Sequence, residues 1–249
     1  MGGTTMVQYR SYQRFAGAVV VAGLAVGVLT ACDPVGTEFS DDATVSDRIT
    51  AVKLDDSSGE VTIHGKSGGG SASVHRKITY QNSKPGTTTR VEGGVLVLGG
   101  CGHNCSVSYT VELPAGLPIT GGTSAGGIHL TEVGAVSVHT DAGNISVDRA
   151  AGPVDLRTDS GDIDGTSLKG DRIQAKTDSG AIKLTAAKAQ DVKASTDNGE
   201  IRLTVPPGSY RVSAGTDINS KHINVRNDPN GQFKLDLGTD IGDITVNTG

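Results

Sequence analysis

The chain has 249 residues, 22 Lys and Arg against 27 Asp and Glu, a formal charge of −5, and 36 glycines, but only five tyrosines, three phenylalanines and no tryptophan. An acidic balance with no basic cluster excludes a phosphate-backbone surface, and with it nucleic acid as a partner. So few aromatics leave little to build the platforms that a sugar-processing groove displays, and no His-Glu-x-x-His helix or phosphate loop is present.

Arg10 and Arg14 precede an uncharged run from Phe15 to Val28. That run is too short to span a bilayer as a mature helix and has the form of a signal-peptide h-region. It ends in Leu29-Thr30-Ala31-Cys32, which resembles the lipobox of bacterial lipoproteins: small residues before a cysteine that receives a diacylglycerol and becomes the new N-terminus. The resemblance implies a lipoprotein signal peptide over residues 1–31, lipidation at Cys32, and an extracytoplasmic protein anchored to the cell membrane through that lipid. Cleavage removes Arg10 and Arg14 and no acid, so the charge moves from −5 to −7. Residues 32–47, with Pro34, Gly36 and the pair Asp41-Asp42, read as a flexible tether.

Residues 48–120 alternate apolar and polar positions without a fixed period. The runs Ile49 to Leu54, Glu60 to His64, Ser73 to Tyr80, Arg90 to Val97 and Ser106 to Leu113 are separated by Gly, Ser, Asn and Pro clusters. They predict a β-meander or irregular first coils that cap a larger stack. Cys101 and Cys105 lie four residues apart between two such runs, and in an extracytoplasmic compartment they predict a disulfide across a loop or hairpin end. The rival is a metal site of Cys101, His103 and Cys105, which lacks a recognisable fourth ligand.

Residues 121–249 repeat one phrase. Thr-Ser-Ala-Gly-Gly-Ile begins at Thr123, Thr-Asp-Ala-Gly-Asn-Ile at Thr140, Thr-Asp-Ser-Gly-Asp-Ile at Thr158, Thr-Asp-Ser-Gly-Ala-Ile at Thr177 and Thr-Asp-Asn-Gly-Glu-Ile at Thr196, with looser copies at Thr216 and Thr239. The starts are 17, 18, 19, 19, 20 and 23 residues apart, the spacing of a solenoid. In each coil one strand carries inward residues two apart, such as Ile145 and Val147 or Ile201 and Leu203, and a second strand carries pairs such as Val154 and Leu156. The expected fold is all-β: a β-solenoid, like a right-handed parallel β-helix, of 17–23-residue coils with an N-terminal meander cap, forming one continuous domain with residues 48–120. The copy at Thr158 places Gly165 at the second inward position, which predicts a bulge or an early strand end. The copy at Thr216 predicts a longer corner, with Ile223 and Val225 inward.

The phrase also places candidate site residues. The residue between each inward pair faces out, giving an expected row of His129, Ser146, Lys183, Arg202, Asn224 and Thr245. Asp after Thr can accept a backbone N–H two residues on, while Gly takes the positive φ of the turn. Stacking would align Asp141, Asp159, Asp178, Asp197, Asp217 and Asp240 as turn-capping carboxylates in one column, which a cation such as calcium could bridge. Asp159, Asp162 and Asp164 are neighbouring carboxylates of the kind an acid–base enzyme uses. Arg157, Lys176, Lys183 and Arg202 form the candidate contact surface, for a cell-wall anionic polymer or a surface protein. No metal centre or cofactor is expected.

With these residues in view, the lipobox, the segment Val111-Glu112-Leu113-Pro114-Ala115-Gly116 and the reiterated Asp-x-Gly-x-Ile-x-Leu/Val coils resemble the putative adhesin family of bacterial surface proteins and actinobacterial lipoproteins. The resemblance covers residues 48–249 and implies a β-solenoid at the cell envelope, with no catalytic residues to carry over. The expected role is a non-catalytic adhesion, interaction or structural module. The alternatives are a carbohydrate-active enzyme on a β-helix scaffold and a cation-dependent binding protein. The final strand around Ile244 and Val246 is expected to leave an open edge through which copies could pair.

Overall fold

The computed structural model describes residues 20–21, 36–68 and 70–249. The signal peptide, the lipobox and Cys32 lie outside the described residues, apart from Val20–Val21, which runs antiparallel along Ala43–Thr44. Among the described residues there is no helix, and the strands form two sheets of 12 and 10 strands. The fold is the expected β-solenoid.

The repeat builds the core directly. Ile128, Ile145, Ile163, Ile182, Ile201 and Ile244 are Cα partners in successive parallel strands, and each is completely buried. Across the core, Val136, Val154, Ile173, Val192 and Leu235 stack in the same way on the smaller sheet. Each such side chain contributes about 1.5–3 kcal/mol by leaving water, which is how coils with short strands hold together. Period-2 alternation then sends the intervening residues to two outer faces, one per sheet.

Gly165 is explained by its neighbours. A Cβ there would stand 2.8 Å from both Leu168 Cδ1 and Leu184 Cδ2, so Leu168 has bent inward to occupy the missing side chain's place. The strand shifts register between Gly165 and Leu168, as the sequence predicts, with Ser167 at φ 57°.

Coil order in space departs from coil order in sequence at both ends. The coil of Ala51–Ser58 and Val61–Lys66 lies between that of Val95–Gly99 and Cys105–Pro114 and that of Ile119–Ala125 and Ile128–Thr131. At the far end, Phe233–Ile241 and Ile244–Thr248 slot between the coil of Asp191–Asn198 and Ile201–Val205 and the coil of Tyr210–Ile218 and Lys221–Ile223. The expected open edge at Ile244–Val246 is therefore wrong, because that strand has neighbours on both sides. The exposed edge belongs to Tyr210–Ile218, and it is partly blocked. Asn227 Oδ1 accepts the Val212 N–H at 3.0 Å, and Lys221 Nζ donates to the Ala214 carbonyl at 3.3 Å.

The Thr216 copy also corrects the expected register. Lys221 takes the place held elsewhere by isoleucine, pairing with Ile244, and Ile223 pairs with Val246. The corner is thus no longer than the others. His222, rather than Asn224, continues the outward row beside Thr245, and Asn224 donates instead to Asn247 Oδ1 at 2.8 Å. A lysine is tolerated at an inward position because this end coil has no further coil to cover it.

Residues 48–120 comprise two regular coils plus antiparallel strands at the N-terminal end, Ala72–Tyr80 on the larger sheet and Thr89–Glu92 on the smaller. The residues read as a tether are ordered from Thr37, with Thr37–Val45 pairing antiparallel along Ala72–Tyr80 as a further cap strand. Asp41 grips Arg76 with two bonds, at 2.7 and 2.5 Å, in a pair only about one-tenth exposed. Arg76 also donates to Thr88 Oγ1 at 3.1 Å, and the hydroxyl of buried Tyr109 lies 2.5 Å from that oxygen and donates to the Gly99 carbonyl at 2.6 Å. Sequence-remote charges hold the segment down.

Candidate contact surface

The corner that follows each strand of the smaller sheet is built from three ladders. Threonine hydroxyls donate to the turn carbonyl of the adjacent coil: Thr140 to Gly126, Thr177 to Gly161, Thr196 to Gly180, Thr239 to Gly199 and Thr216 to Gly242, all at 2.9–3.1 Å. The glycines themselves stack, and a Cβ on Gly161 would fall on the Gly143 carbonyl oxygen. After the glycine, Asn144 Oδ1 accepts the Asp162 N–H at 2.9 Å, and Asp162 Oδ1 accepts that of Ala181 at 2.8 Å. Asp243 Oδ1 does the same for Ser220, at 2.9 Å.

This corrects the expected role of the aspartate column. Asp141, Asp159, Asp178, Asp197, Asp240 and Asp217 do follow one another coil by coil and are exposed. Among the described residues none of them caps its own turn, and the only ion pair in the column joins Asp178 to Lys176 at 3.2 Å. The hydrogen-bonding carboxylates are those after the glycine. Among the described residues no group of three His, Cys, Asp or Glu is arranged to hold a metal ion.

The three carboxylates considered for acid–base work are separated by the fold. Asp159 ends a strand of the smaller sheet, Asp162 spends its carboxylate at the corner, and Asp164 faces outward on the larger sheet beside Ser146 and Lys183. Gly122-Thr123-Ser124-Ala125-Gly126 has Gly-x-Ser-x-Gly spacing, but Ser124 lies within the strand Ile119–Ala125 and the chain goes on into another strand at Ile128. The strand-to-helix elbow that activates such a serine is not formed.

The basic residues proposed as one surface divide between two. Arg157 and Lys176 are Cα partners on the smaller sheet, in register with His139. Lys183 and Arg202 are partners on the larger sheet, in the row that contains His129, Ser146 and Asp164, and Arg202 is ion-paired with Glu200. Because strands of one coil alternate between the sheets, the two pairs project from opposite outer faces. On the smaller sheet a shallow groove of ≈460 Å³ is lined by Ser137, His139, Asp141, Asp155, Arg157 and Asp159. The expected neighbourhood of His139, Arg157 and Lys176 is present on this face, with His139 and Arg157 in the groove and Lys176 on the next strand.

At the N-terminal end, Cys101 and Cys105 are joined by a disulfide with a Cα–Cα distance of 5.7 Å. It spans the corner between Val95–Gly99 and Cys105–Pro114, which belong to different sheets, so it staples the outermost coil rather than a hairpin. On the outer face nearby, Lys66 holds the Glu112 carboxyl below its ordinary range, as Arg90 and then Lys53 do for Asp55. A second groove, of ≈350 Å³, is lined by Asp42, Ser73, His75, Thr110 and Glu112, with His75 Nδ1 2.8 Å from Asp42. The sequence does not signal this groove, because Asp42 stands in a run with the composition of a tether and its partner His75 is 33 residues away.

Comparison with known proteins gives two kinds of match. Two solved structures are similar at 14% identity: a putative adhesin from Bacteroides fragilis, covering 88% of this chain and 100% of its own with a TM-score of 0.49, and a putative cell adhesion protein from Clostridium sporogenes, covering 86% and 100% with a TM-score of 0.39. No curated protein matches the chain. The family model described as Toastrack DUF4097 matches residues 118–247, more than half of the chain and all of the regular coils from Ile119 onward. The chain is a member of the Toastrack DUF4097 family.

Proposed function

We propose that this protein is a non-catalytic module of the bacterial cell envelope, anchored through a diacylglycerol on Cys32, that binds a surface partner through an outer sheet face. The observation that carries this reading is the laddered face of the smaller sheet. There His139, Arg157 and Lys176 stand in register on consecutive strands, the first two lining a shallow groove together with Asp141, Asp155 and Asp159. Strands about 4.8 Å apart repeat that polar pattern along the stack. Such a polar surface suits an extended cell-wall polymer, or the surface of another protein, better than a small substrate that must be enclosed.

The test is crosslinking on intact cells followed by mass spectrometry, with Cys32→Ala as the unanchored control. A discrete partner captured only by the anchored form, and lost in Arg157→Ala with Lys176→Ala, is the expected result. Capture unchanged by those substitutions sinks the assignment of the face. Failure of Cys32 to take up an alkyne-labelled fatty acid sinks the anchor.

A further inference from the structure

We propose that the strand Thr37–Val45 is a releasable strap, a reserve length of tether that peels from the domain under load while the solenoid stays folded. The proposal rests on Cys32 as the anchored residue, which leaves only residues 32–36 between the lipid and the strand. At rest that is a reach of about 17 Å; with the strap freed to Val45 it becomes about 48 Å, at 3.3–3.6 Å per residue.

Three features make the strand separable. Once residues 1–31, with Val20–Val21, are removed, it is the outer cap strand of the larger sheet, registered through Thr37–Tyr80 to Val45–Ala72 against a single neighbour. Its inward positions are Phe39, Asp41, Ala43 and Val45, and only Val45, at the far end, reaches the apolar core, where the coils carry fully buried Ile, Val or Leu throughout. Its hold is therefore chiefly polar. Glu38–Lys77 at 3.0 Å and Asp42–His75 at 2.8 Å are exposed pairs of the kind that contribute little, and Asp41–Arg76 is the better-buried grip. A load that enters through residue 36 and draws away from the sheet edge meets the Thr37–Tyr80 pair first, so the pairs open one after another.

The next strand supplies a stop. Ala51–Ser58 lies between Val95–Gly99 and Ile119–Ala125, and its Val52 and Leu54 are fully buried. Drawing it out means breaking two ladders together with core contacts. Low local stability before Val45 and high stability after it give a leash of defined length.

The experiment is optical-tweezers extension of the mature chain carrying Cys32→Ala, held at its N-terminus and at an azide-bearing residue at position 197. The expected result is a first, reversible step that adds about 30 Å of contour, nine residues at about 3.4 Å each, at a force below that of solenoid unfolding. Asp41→Asn should lower the force of that step at least two-fold. Ser40→Cys with Lys77→Cys, oxidised to a cross-strand disulfide, should abolish it. A single event in which strap and solenoid unfold together overturns the proposal, as does a step that survives the cross-link. Neither outcome bears on Cys32, which fatty-acid labelling tests separately.

Discussion

The hydroxyl of Thr158 donates to the carbonyl oxygen of Gly143, 3.0 Å away in the adjacent coil, and the side chain that makes this bond is completely buried. Replacing Thr158 with Val keeps the shape and removes the donor, leaving a turn carbonyl without that partner. The expected cost is about 1 kcal/mol, or a melting temperature lower by about 2–4 °C for a domain of this size. Thr158→Ser, which keeps the donor, separates the bond from the loss of the methyl group. Equal melting temperatures for the Val variant and the wild type would show that the hydroxyl ladder adds nothing.

Two glycines, Gly161 in a corner and Gly238 within the strand Phe233–Ile241, should behave oppositely. Gly161 has φ +151°, and a Cβ on it would collide with the Gly143 carbonyl oxygen, so Gly161→Ala should destabilise by about 3 kcal/mol. Gly238 has no such φ and nothing within 4 Å of a Cβ, so Gly238→Ala should stabilise by about 0.5 kcal/mol through the unfolded chain. Urea denaturation of the two variants measures both.

Burial pushes the Tyr109 phenol up to about 12 from its ordinary 10. The folded state thus holds the proton more tightly than the unfolded chain. The stabilisation from Tyr109 is complete below pH 10, declines between pH 10 and 12, and is about 3 kcal/mol smaller once both states are ionised. Comparing the pH dependence of unfolding in wild type and Tyr109→Phe isolates this contribution. The Phe variant should start lower at neutral pH, having lost the bond to Gly99, and fall less steeply above pH 10.

Reducing Cys101–Cys105 should cost about 2 kcal/mol in the chain-entropy description. Because the bridge staples the outermost coil, hydrogen exchange should quicken first in Val95–Gly99 and Cys105–Pro114, while Ile182–Ala186 and Ile201–Val205 keep their protection. Uniform acceleration along the whole stack would contradict a local role.

What could be read in advance follows from how local each signal is. Ile145 and Val147 announce an inward pair because period-2 burial is written in adjacent residues, and Gly165 announces a bulge because its missing side chain must be replaced. Thr37–Val45 looked like a spacer because Asp41-Asp42 suits a solvated linker. Its partners His75, Arg76 and Lys77 are more than thirty residues away, and nothing local links the two runs. At Lys221 the signal is weak for a related reason: an end coil does not need an apolar residue at that place, so the first apolar residue after the turn is Ile223, one inward position further on. The split of Arg157 and Lys176 from Lys183 and Arg202 was legible, since the two pairs sit on different strands of their coils. The interleaved coil order was not, because every coil presents much the same stacking face.

That interleaving governs how such a chain can be shortened, lengthened or made. Deleting Phe233–Thr248 would excise an inner layer and cut Tyr210–Ile218 off from the stack, so loss of that segment harms this fold far more than loss of a terminal repeat harms an open solenoid. A nascent chain cannot close this end of the stack until Phe233–Thr248 has been made, because that segment is its inner layer. Variation in length is confined to the middle: a coil duplicated between Val136 and Val205 leaves both interlocked ends intact, so a lineage can change the height of the stack without redesigning either cap.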